Sequence, residues 1–320
     1  MKKWIRQSIG ACTAVIAITA VCFFRSTFTA SRRLQIGDKG ISLSHINENG
    51  VPVERIPIRA DAFLDFGRFE QAQPVRPVPL RGRVIAGVVN HHVLASDLLQ
   101  RFFVSIDQVR PDVRRIILIS PDHYKRGTSP ISVGTTDYVT QSRVVRVDRT
   151  AIEHLHLLGV AFGDRELFEH EHGIGALIPF LAKAFPQAAI VPLVVRADIA
   201  DEDAQRFGER LAEIFDGDAL IIVSSDMSHY LSEKNALQHD VKTIAWLQAR
   251  DRVAVGNVSD DFTDNGPALV MLFSFFEALK ISPTFQSIDH SISTAYGGDR
   301  HRTTSYINGV WVVSNTKTSR

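Results

Sequence analysis

The sequence predicts an α/β fold in which a mixed, mostly parallel β-sheet is sandwiched between helices. From Arg83 onward, short apolar runs alternate with longer amphipathic segments, and this alternation is typical of strands joined by crossover helices. The apolar runs are also continuous, with no alternation of polar and apolar residues. Strands of that kind are covered on both faces, which favours a parallel or mixed sheet.

The predicted strands and helices follow one another along the chain. Strands are predicted at 84–89, 115–119, 143–147, 189–195, 219–223 and 305–313. Helices are predicted at 96–106, 150–158, 174–184, 201–215, 233–249 and 267–279. Gly159 and Gly217 stand just past two of these helices, where glycine commonly ends a helix. Pro192 interrupts its apolar run, so we expect that strand to lie near an edge or a bulge.

The composition is that of an ordinary globular protein. The chain has 320 residues, with 36 basic and 35 acidic side chains. This near-balance lacks the positive excess that binds nucleic acid, so we expect no nucleic-acid partner. Residues 80–316 are long enough to form one large domain with a full core.

The N-terminus has the build of a targeting segment. A basic start is followed by an apolar run at 9–24 that carries no charge, so residues 1–30 are predicted to be a signal peptide or an N-terminal membrane anchor. The run is near the lower limit for crossing a bilayer, which takes about 17–25 residues. We expect an uncleaved anchor with the domain outside the cytoplasm; cleavage after Ala30 would instead give a secreted or periplasmic protein.

Residues 31–79 are predicted to form an extended linker, because they are polar at first and rich in proline and arginine at 73–79. Both cysteines of the chain, Cys12 and Cys22, lie in the N-terminal apolar run. The globular part therefore has no disulfide, no thiolate nucleophile and no thiolate metal ligand.

Three of the predicted strands run into polar segments that contain histidine, and two of these segments also contain aspartate. The endings are Asn90-His91-His92, Ser120-Pro121-Asp122-His123-Tyr124 and Ser224-Ser225-Asp226-Met227-Ser228-His229-Tyr230. In open α/β sheets, ligands bind beyond the carboxyl ends of the strands. We therefore expect His91, His123 and His229 to meet in one crevice.

Imidazole and carboxylate groups at such a place predict a divalent transition metal, with iron favoured and copper or zinc as alternatives. Asp226 precedes His229 by three residues, and either group is a candidate for moving a proton. Asp122 and Asp226 are also candidates for helix or turn caps. Tyr124 and Tyr230 are interpreted as pocket walls or proton donors.

Other histidines have a less decisive context. Residues 169–172, with the sequence Glu-His-Glu-His, precede an apolar helix. A charged helix start and a contribution to the site explain this segment equally well. His290 is a candidate for the rim of the same crevice. His154 and His156 are interpreted as structural, because they fall on an amphipathic helix.

These strand-end motifs resemble those of the Memo family (AmmeMemoRadiSam system protein B). The shared motifs are Gly87-Val88-Val89-Asn90-His91-His92, Ile119-Ser120-Pro121-Asp122-His123, Glu171-His172 and Ser224-Ser225-Asp226-Met227-Ser228-His229. They occur in the order and approximate spacing of the family, and the resemblance covers about 83–313. The family is similar in fold to class III extradiol dioxygenases, which carry a mononuclear non-haem iron.

The resemblance implies a role for each matching residue. His91 and His123 match the two metal-ligand histidines, and His229 matches the catalytic acid/base histidine of the dioxygenases, with Asp226 beside it. The third ligand is cysteine in many Memo proteins and glutamate in the dioxygenases. Here the matching region offers Asp264, with Asn265 as the alternative. Where the family has serine and glutamate after Glu-His, this chain has Gly173 and Gly175.

The predicted function is that of a metal-dependent oxidoreductase of dioxygenase type. His91, His123 and Asp264 would hold Fe(II) or a similar ion, and His229 would act as acid or base. Two alternatives stay open. One is a non-catalytic protein that holds a metal or a peptide in the same crevice, and the other is a hydrolase with His229 or Asp226 as base. The small-molecule or peptide ligand is unknown.

Overall fold

A computed structural model describes residues 45–46, 52–58, 75–214 and 219–314 of the chain. The predicted signal peptide or membrane anchor at 1–30 lies outside these residues. So does most of the predicted linker. Among the described residues, no helix is both long and apolar enough to cross a membrane.

The described residues form strands and helices in an alternating order. The strands are β1 (His45–Ile46), β2 (Pro52–Val53), β3 (Ile56–Pro57), β4 (Arg83–Val89), β5 (Arg115–Pro121), β6 (Ile131–Val133), β7 (Tyr138–Val139), β8 (Val144–Val145), β9 (Ala161–Phe162), β10 (Ala189–Val195), β11 (Ala219–Ser224), β12 (Met227–Leu231), β13 (Thr284–Ile292) and β14 (Thr303–Val313). The helices are α1 (Ser96–Val109), α2 (Arg149–Leu157), α3 (Arg165–His170), α4 (His172–Gly175), α5 (Ile178–Ala184), α6 (Asp201–Ile214), α7 (Glu233–Ala249), α8 (Arg252–Gly256) and α9 (Gly266–Ala278).

A nine-stranded mixed sheet forms the centre of the domain, with the order β12-β14-β4-β11-β5-β10-β6-β9 and with β13 paired to β14. The core strands β4, β11, β5 and β10 run parallel. Antiparallel pairs flank them, β14 on β4 and β6 on β10. Helix α1 packs on β4 and α5, whereas α6 packs on α9, which lies against β11 and β5. The predicted α/β class is therefore confirmed.

The strand order brings the predicted site residues to one edge of the sheet. β4, β11 and β5 are neighbours and parallel, so their carboxyl ends meet at one edge of the sheet. All six residues of β11 are buried, as expected for a strand covered on both faces. The chain leaves this edge of the sheet with His91 after β4, His123 after β5 and Asp226 after β11.

Two predicted elements differ from the structure. The predicted strand at 143–147 shortens to β8, which pairs only with β7. The predicted helix at 174–184 divides into α4 and α5, with Ala176 and Leu177 between them. Pro179 stands in the first turn of α5, where proline is favoured because its missing N–H would have no partner in the helix.

The prediction that Pro192 marks an edge or a bulge is wrong. β10 lies inside the sheet between β5 and β6, and Pro192 pairs in register with Leu118. The Pro192 carbonyl accepts from Gly134 N at 3.0 Å on the β6 side. The nitrogen of Pro192 lies on the same side of the strand. There the pairing with β6 covers only Leu193–Val195, so it ends before Pro192. The proline removes no hydrogen bond from the ladder to β5.

One part of the predicted linker packs against the domain. Strand β3 pairs in parallel with β7, and Ile56 N donates to Asp137 O at 2.8 Å. The Ile56 side chain is buried in the main core. This contact fixes residues 56–57 on the domain; the extended form of the other linker residues stays a prediction.

Candidate metal centre

Three imidazoles surround one carboxylate oxygen at the carboxyl edge of the sheet. Asp264 Oδ2 lies 3.3 Å from His91 Nε2, 3.4 Å from His123 Nε2 and 3.8 Å from His229 Nε2. The His91 and His123 rings meet edge to face, with centroids 4.7 Å apart. The structure thus brings together the three histidines predicted from separate strand ends.

Asp264 Oδ2 is buried and has no hydrogen-bond partner among the described residues. Its other oxygen, Oδ1, accepts from Ser225 Oγ at 2.9 Å and from Asp226 N at 3.1 Å. Burial would raise the pKa of Asp264, but the imidazoles of His91 and His123 lower it overall. An ionised, unpartnered oxygen among imidazole nitrogens fits a bound cation.

The tautomer of His91 follows from its contacts. Ser224 Oγ donates its hydrogen to Gly173 O at 2.6 Å, so it accepts from His91 Nδ1–H at 3.0 Å. This leaves the Nε2 lone pair directed to the site, as a metal ligand requires. Asp226 Oδ1 accepts from the main-chain N of His91 at 2.9 Å and holds that residue at the strand end.

His123 is oriented by a buried carboxylate. Its Nδ1 lies 2.5 Å from Glu171 Oε1, and Glu171 also accepts from Gly173 N at 2.8 Å and from His123 N at 3.1 Å. Such a carboxylate–histidine pair fixes the ring and increases its basicity. Burial lowers the pKa of His123, but Asp264 and Glu171 outweigh it and raise this pKa to about 10.

Gly173 explains one departure from the family pattern. A Cβ at this position would lie 2.3 Å from Ser120 Oγ and 3.3 Å from His123 Cε1. The space that a serine would need at 173 is therefore occupied by Ser120. A Cβ at Gly175 would meet nothing within 4 Å, and nothing in the structure explains that glycine.

His229 is held differently from the other two histidines. It lies in β12 between Ser228 and Tyr230, which have φ angles of 44° and 56°, in a left-handed region that costs non-glycine residues energy. Its main-chain N donates to Asp260 O at 3.1 Å. Its Nδ1 is buried without a hydrogen-bond partner among the described residues.

Behind His229, the fully buried Asp240 fixes the strand. Asp240 Oδ1 accepts from Ser228 Oγ at 2.7 Å and from Ser305 Oγ at 2.6 Å. Its Oδ2 lies 2.7 Å from His290 Nε2. His290, predicted as a candidate for the rim of the crevice, thus pairs with this internal carboxylate instead.

His172, whose role the sequence left open, joins the cluster. One ligand atom from each of His91, His123 and His172 lies within 4.8 Å of the others, so the three could hold a metal ion. The His172 ring lies 3.9 Å from that of His123, and its Nδ1 is 3.2 Å from Tyr124 Oη. Burial and the charges of His91 and His123 lower the pKa of His172 to about 4. The only signal for it in the sequence was the Glu171-His172 pair.

The structure separates the two candidates for the third ligand. Asn265 Nδ2 donates to Ser224 O at 2.9 Å and to Ile119 O at 3.3 Å, so its amide ties two strand ends together. Asp264 alone of the two faces the imidazoles. The assignment of Asp264 as a ligand stays a prediction, now with a geometry that supports it.

The centre opens into a cleft of about 720 Å³. Its walls carry histidines, tyrosines, acids and one arginine; the lining residues are His91, His92, Val93, His123, Tyr124, His172, Ala176, Asp226, His229, Tyr230, Asp299, Arg302 and Thr304. Tyr124 and Tyr230, predicted as pocket walls or proton donors, both line it and are more than half exposed.

A family model described as "Memo-like protein" matches residues 90–310, which contain all of these site residues. This chain belongs to the Memo-like family. The family predicted from the strand-end motifs is thereby confirmed.

Curated relatives carry the same family name. A MEMO1 family protein of Caldivirga maquilingensis is 25% identical over 189 residues, which are 57% of this chain and 66% of the relative. One of Aquifex aeolicus is 30% identical over 187 residues, 56% of this chain and 64% of the relative. One of Metallosphaera sedula is 23% identical over 243 residues, 74% and 82% of the two chains. The chain thus spans slightly less than two thirds of the first two relatives.

Among solved structures, an uncharacterised protein from Escherichia coli K12 is similar over 72% of this chain and 100% of its own, with 13% sequence identity and a TM-score of 0.48. The likeness is weak, so the fold rests on the strand order of this chain itself.

Proposed function

We propose that this Memo-like protein is a mononuclear metal-dependent oxidoreductase of dioxygenase type. The observation that carries the proposal is the unpartnered Asp264 Oδ2 among the Nε2 atoms of His91 and His123. Two histidines and one carboxylate with open positions are the donor set of non-haem Fe(II) oxygenases. A bound Fe(II) ion would supply the coordination positions for O₂ and for a catechol-like substrate.

The residues around this donor set would each have a distinct task. Ser224 and Glu171 hold the Nδ1 protons of His91 and His123, so both Nε2 lone pairs face the ion. His229, whose Nε2 faces the centre 3.8 Å from Asp264 Oδ2, would take the proton of a substrate hydroxyl at that nitrogen and return it later. Asp226 holds the His91 main chain and is a positioning group in this scheme.

His172 favours a second candidate function, a metal- or peptide-binding protein without turnover. If His172 joins His91, His123 and Asp264, four protein ligands close the coordination sphere, and closed sites are typical of structural or carrier metals such as zinc and copper. In the dioxygenase proposal, His172 is instead a wall of the cleft. The two proposals therefore differ in whether His172 is needed to hold the metal.

The experiment compares variants of the full chain after anaerobic reconstitution with Fe(II). Fe(II) binding is measured by chelator competition, and turnover by O₂ uptake with a series of catechols. For a dioxygenase, we expect His229→Gln to abolish O₂ uptake while Fe(II) binding persists, and His172→Gln to keep both. His154→Gln is the matched control, because His154 is exposed on α2. Absent turnover, together with metal lost in His172→Gln, would support the carrier and refute the oxygenase.

A further inference from the structure

The wall of the cleft around Tyr230 carries a single permanent cation. Among the residues that line the cleft, Arg302 is the only lysine or arginine, and the acids are the buried Asp226 and Asp299 of the Arg302 loop. Asp226 and Asp264 place negative charge at the imidazoles, and Arg302 supplies the one lysine or arginine charge of the cleft, beside Tyr230.

Arg302 contacts the ring of Tyr230 and forms no salt bridge with a described carboxylate. Its guanidinium carbon lies 5.3 Å from the centroid of the Tyr230 ring, within the range of a cation–π contact. Within the described part of the chain, no carboxylate lies within salt-bridge distance of Arg302. Asp299, the acid of the same wall, uses Oδ1 to accept from His301 N at 2.8 Å. Asp299 thus forms this turn contact and no ion pair with Arg302, although both residues line the cleft.

The chemistry of this wall selects a class of ligand. A guanidinium presents its N–H groups in a planar fork that matches a carboxylate or a phosphate. Thr304 also lines the cleft and carries a hydroxyl group, which is a further hydrogen-bond donor. Tyr230 supports the guanidinium from one side, which limits the side-chain freedom that binding must overcome.

We propose that the ligand of this cleft is a metal-chelating small molecule whose end remote from the metal carries a carboxylate or a phosphate, and that Arg302 binds this anionic group. The inference rests on the proposed metal centre, because the chelating end needs the ion held by His91, His123 and Asp264. Beyond the metal centre, the inference specifies that the end of the substrate remote from the metal is negatively charged.

The test uses the full chain loaded with Co(II), whose visible spectrum reports a chelator that enters the coordination sphere. The probes are benzohydroxamate, para-carboxybenzohydroxamate and para-phosphonobenzohydroxamate, and the measured quantity is the Kd of each. We expect at least one anionic probe to bind about ten-fold tighter than the unsubstituted one, the size of one charge-assisted contact at a partly exposed site. The tighter of the two anionic probes identifies the natural group as carboxylate or phosphate.

Variants assign the effect to Arg302. Arg302→Met should reduce the preference for the anionic probe to unity and leave the Kd of benzohydroxamate unchanged, while Arg302→Lys should keep part of the preference. Arg300→Met is the matched control, because Arg300 is 81% exposed, does not line the cleft and lies 4.0 Å from Glu233. This control should behave as the wild type.

Two kinds of result would contradict the proposal, one at the metal centre and one at the anion site. If Co(II) binds but no hydroxamate changes its spectrum, the centre has no open coordination position; the dioxygenase proposal is then refuted, and the inference falls with it. If the three probes bind equally well, or if Arg302→Met keeps the preference for the anion, the metal centre stands and the anion site is overturned.

Discussion

The substitution Glu171→Gln tests the site directly, because Glu171 is not a proposed metal ligand and its closest contact with the cluster is His123 Nδ1. Glu171 accepts three hydrogen bonds, from His123 Nδ1, Gly173 N and His123 N. A glutamine has one acceptor oxygen, so its amide group would face one of these N–H donors without a hydrogen bond. The substitution also removes one buried negative charge beside His123.

Two opposing effects follow, and their sizes decide the outcome. With its pKa raised to about 10, His123 holds a proton at neutral pH whose removal costs about 4 kcal/mol at pH 7. Losing Glu171 lowers that cost, which by itself favours the metal. However, the same charge attracts a divalent ion about twice as strongly as it attracts a proton. We therefore expect a net loss of metal affinity, about 10- to 100-fold, as for other groups that orient a ligand.

The pH dependence provides the second readout. Because the metal displaces a proton from His123, metal affinity in the wild type should rise steadily with pH up to the raised pKa of about 10. In Glu171→Gln this pKa falls, so the affinity should level off at lower pH. Zn²⁺ competition with a chromophoric chelator, repeated across the pH range, measures both quantities. Glu166→Gln is the matched control, since Glu166 is 67% exposed on α3.

The result that would refute this reasoning is specific. If Glu171→Gln binds Zn²⁺ as tightly as the wild type, with the same pH dependence, then Glu171 does not orient a ligand. His123 Nε2 would then not be a metal ligand of the proposed kind.

Further expectations concern the donors and their support. Asp264→Cys should keep Co(II) binding and add a thiolate-to-metal absorption band, whereas Asp264→Asn should lose the metal-induced rise in Tm; equal behaviour of the two would exclude Asp264 as a ligand. Gly173→Ser should destabilise the fold by about 1–3 kcal/mol in urea unfolding, because its Cβ would lie 2.3 Å from Ser120 Oγ, and adding Ser120→Gly should recover part of this loss. Asp240→Ala should cost about 1–3 kcal/mol, since it leaves the buried hydroxyls of Ser228 and Ser305 without their acceptor; a loss below about 0.5 kcal/mol, the size of an ordinary surface substitution, would contradict the role of this network.

The pattern of apolar runs was sufficient to predict the core strands. A strand buried on both faces must consist of continuous apolar residues, and β4, β5 and β11 each follow this rule. The polar residues that follow such strands then lie at one edge of a parallel sheet. For this reason the strand endings alone predict that His91, His123 and His229 converge.

Contacts between side chains far apart in sequence were beyond such reasoning. Glu171 orients His123 over a separation of 48 residues, and Ser224 orients His91 over 133. The periodic pattern of polar and apolar residues does not predict such pairs, because they depend on how helices and strands pack. The sequence likewise favoured Asp264 but left Asn265 as the alternative, since the direction that the backbone gives each of two neighbouring side chains is set by the tertiary structure.

The sequence by itself therefore determined the fold class, the family and the edge of the sheet where the chemistry lies, because burial dictates residue type along a strand. Only the tertiary structure decided which oxygen faces the imidazoles, that His172 joins them, and that Arg302 lines the same cleft without a salt bridge to any described carboxylate. Those features arise from side-chain direction and from contacts across the chain, and the order of residues alone does not specify either.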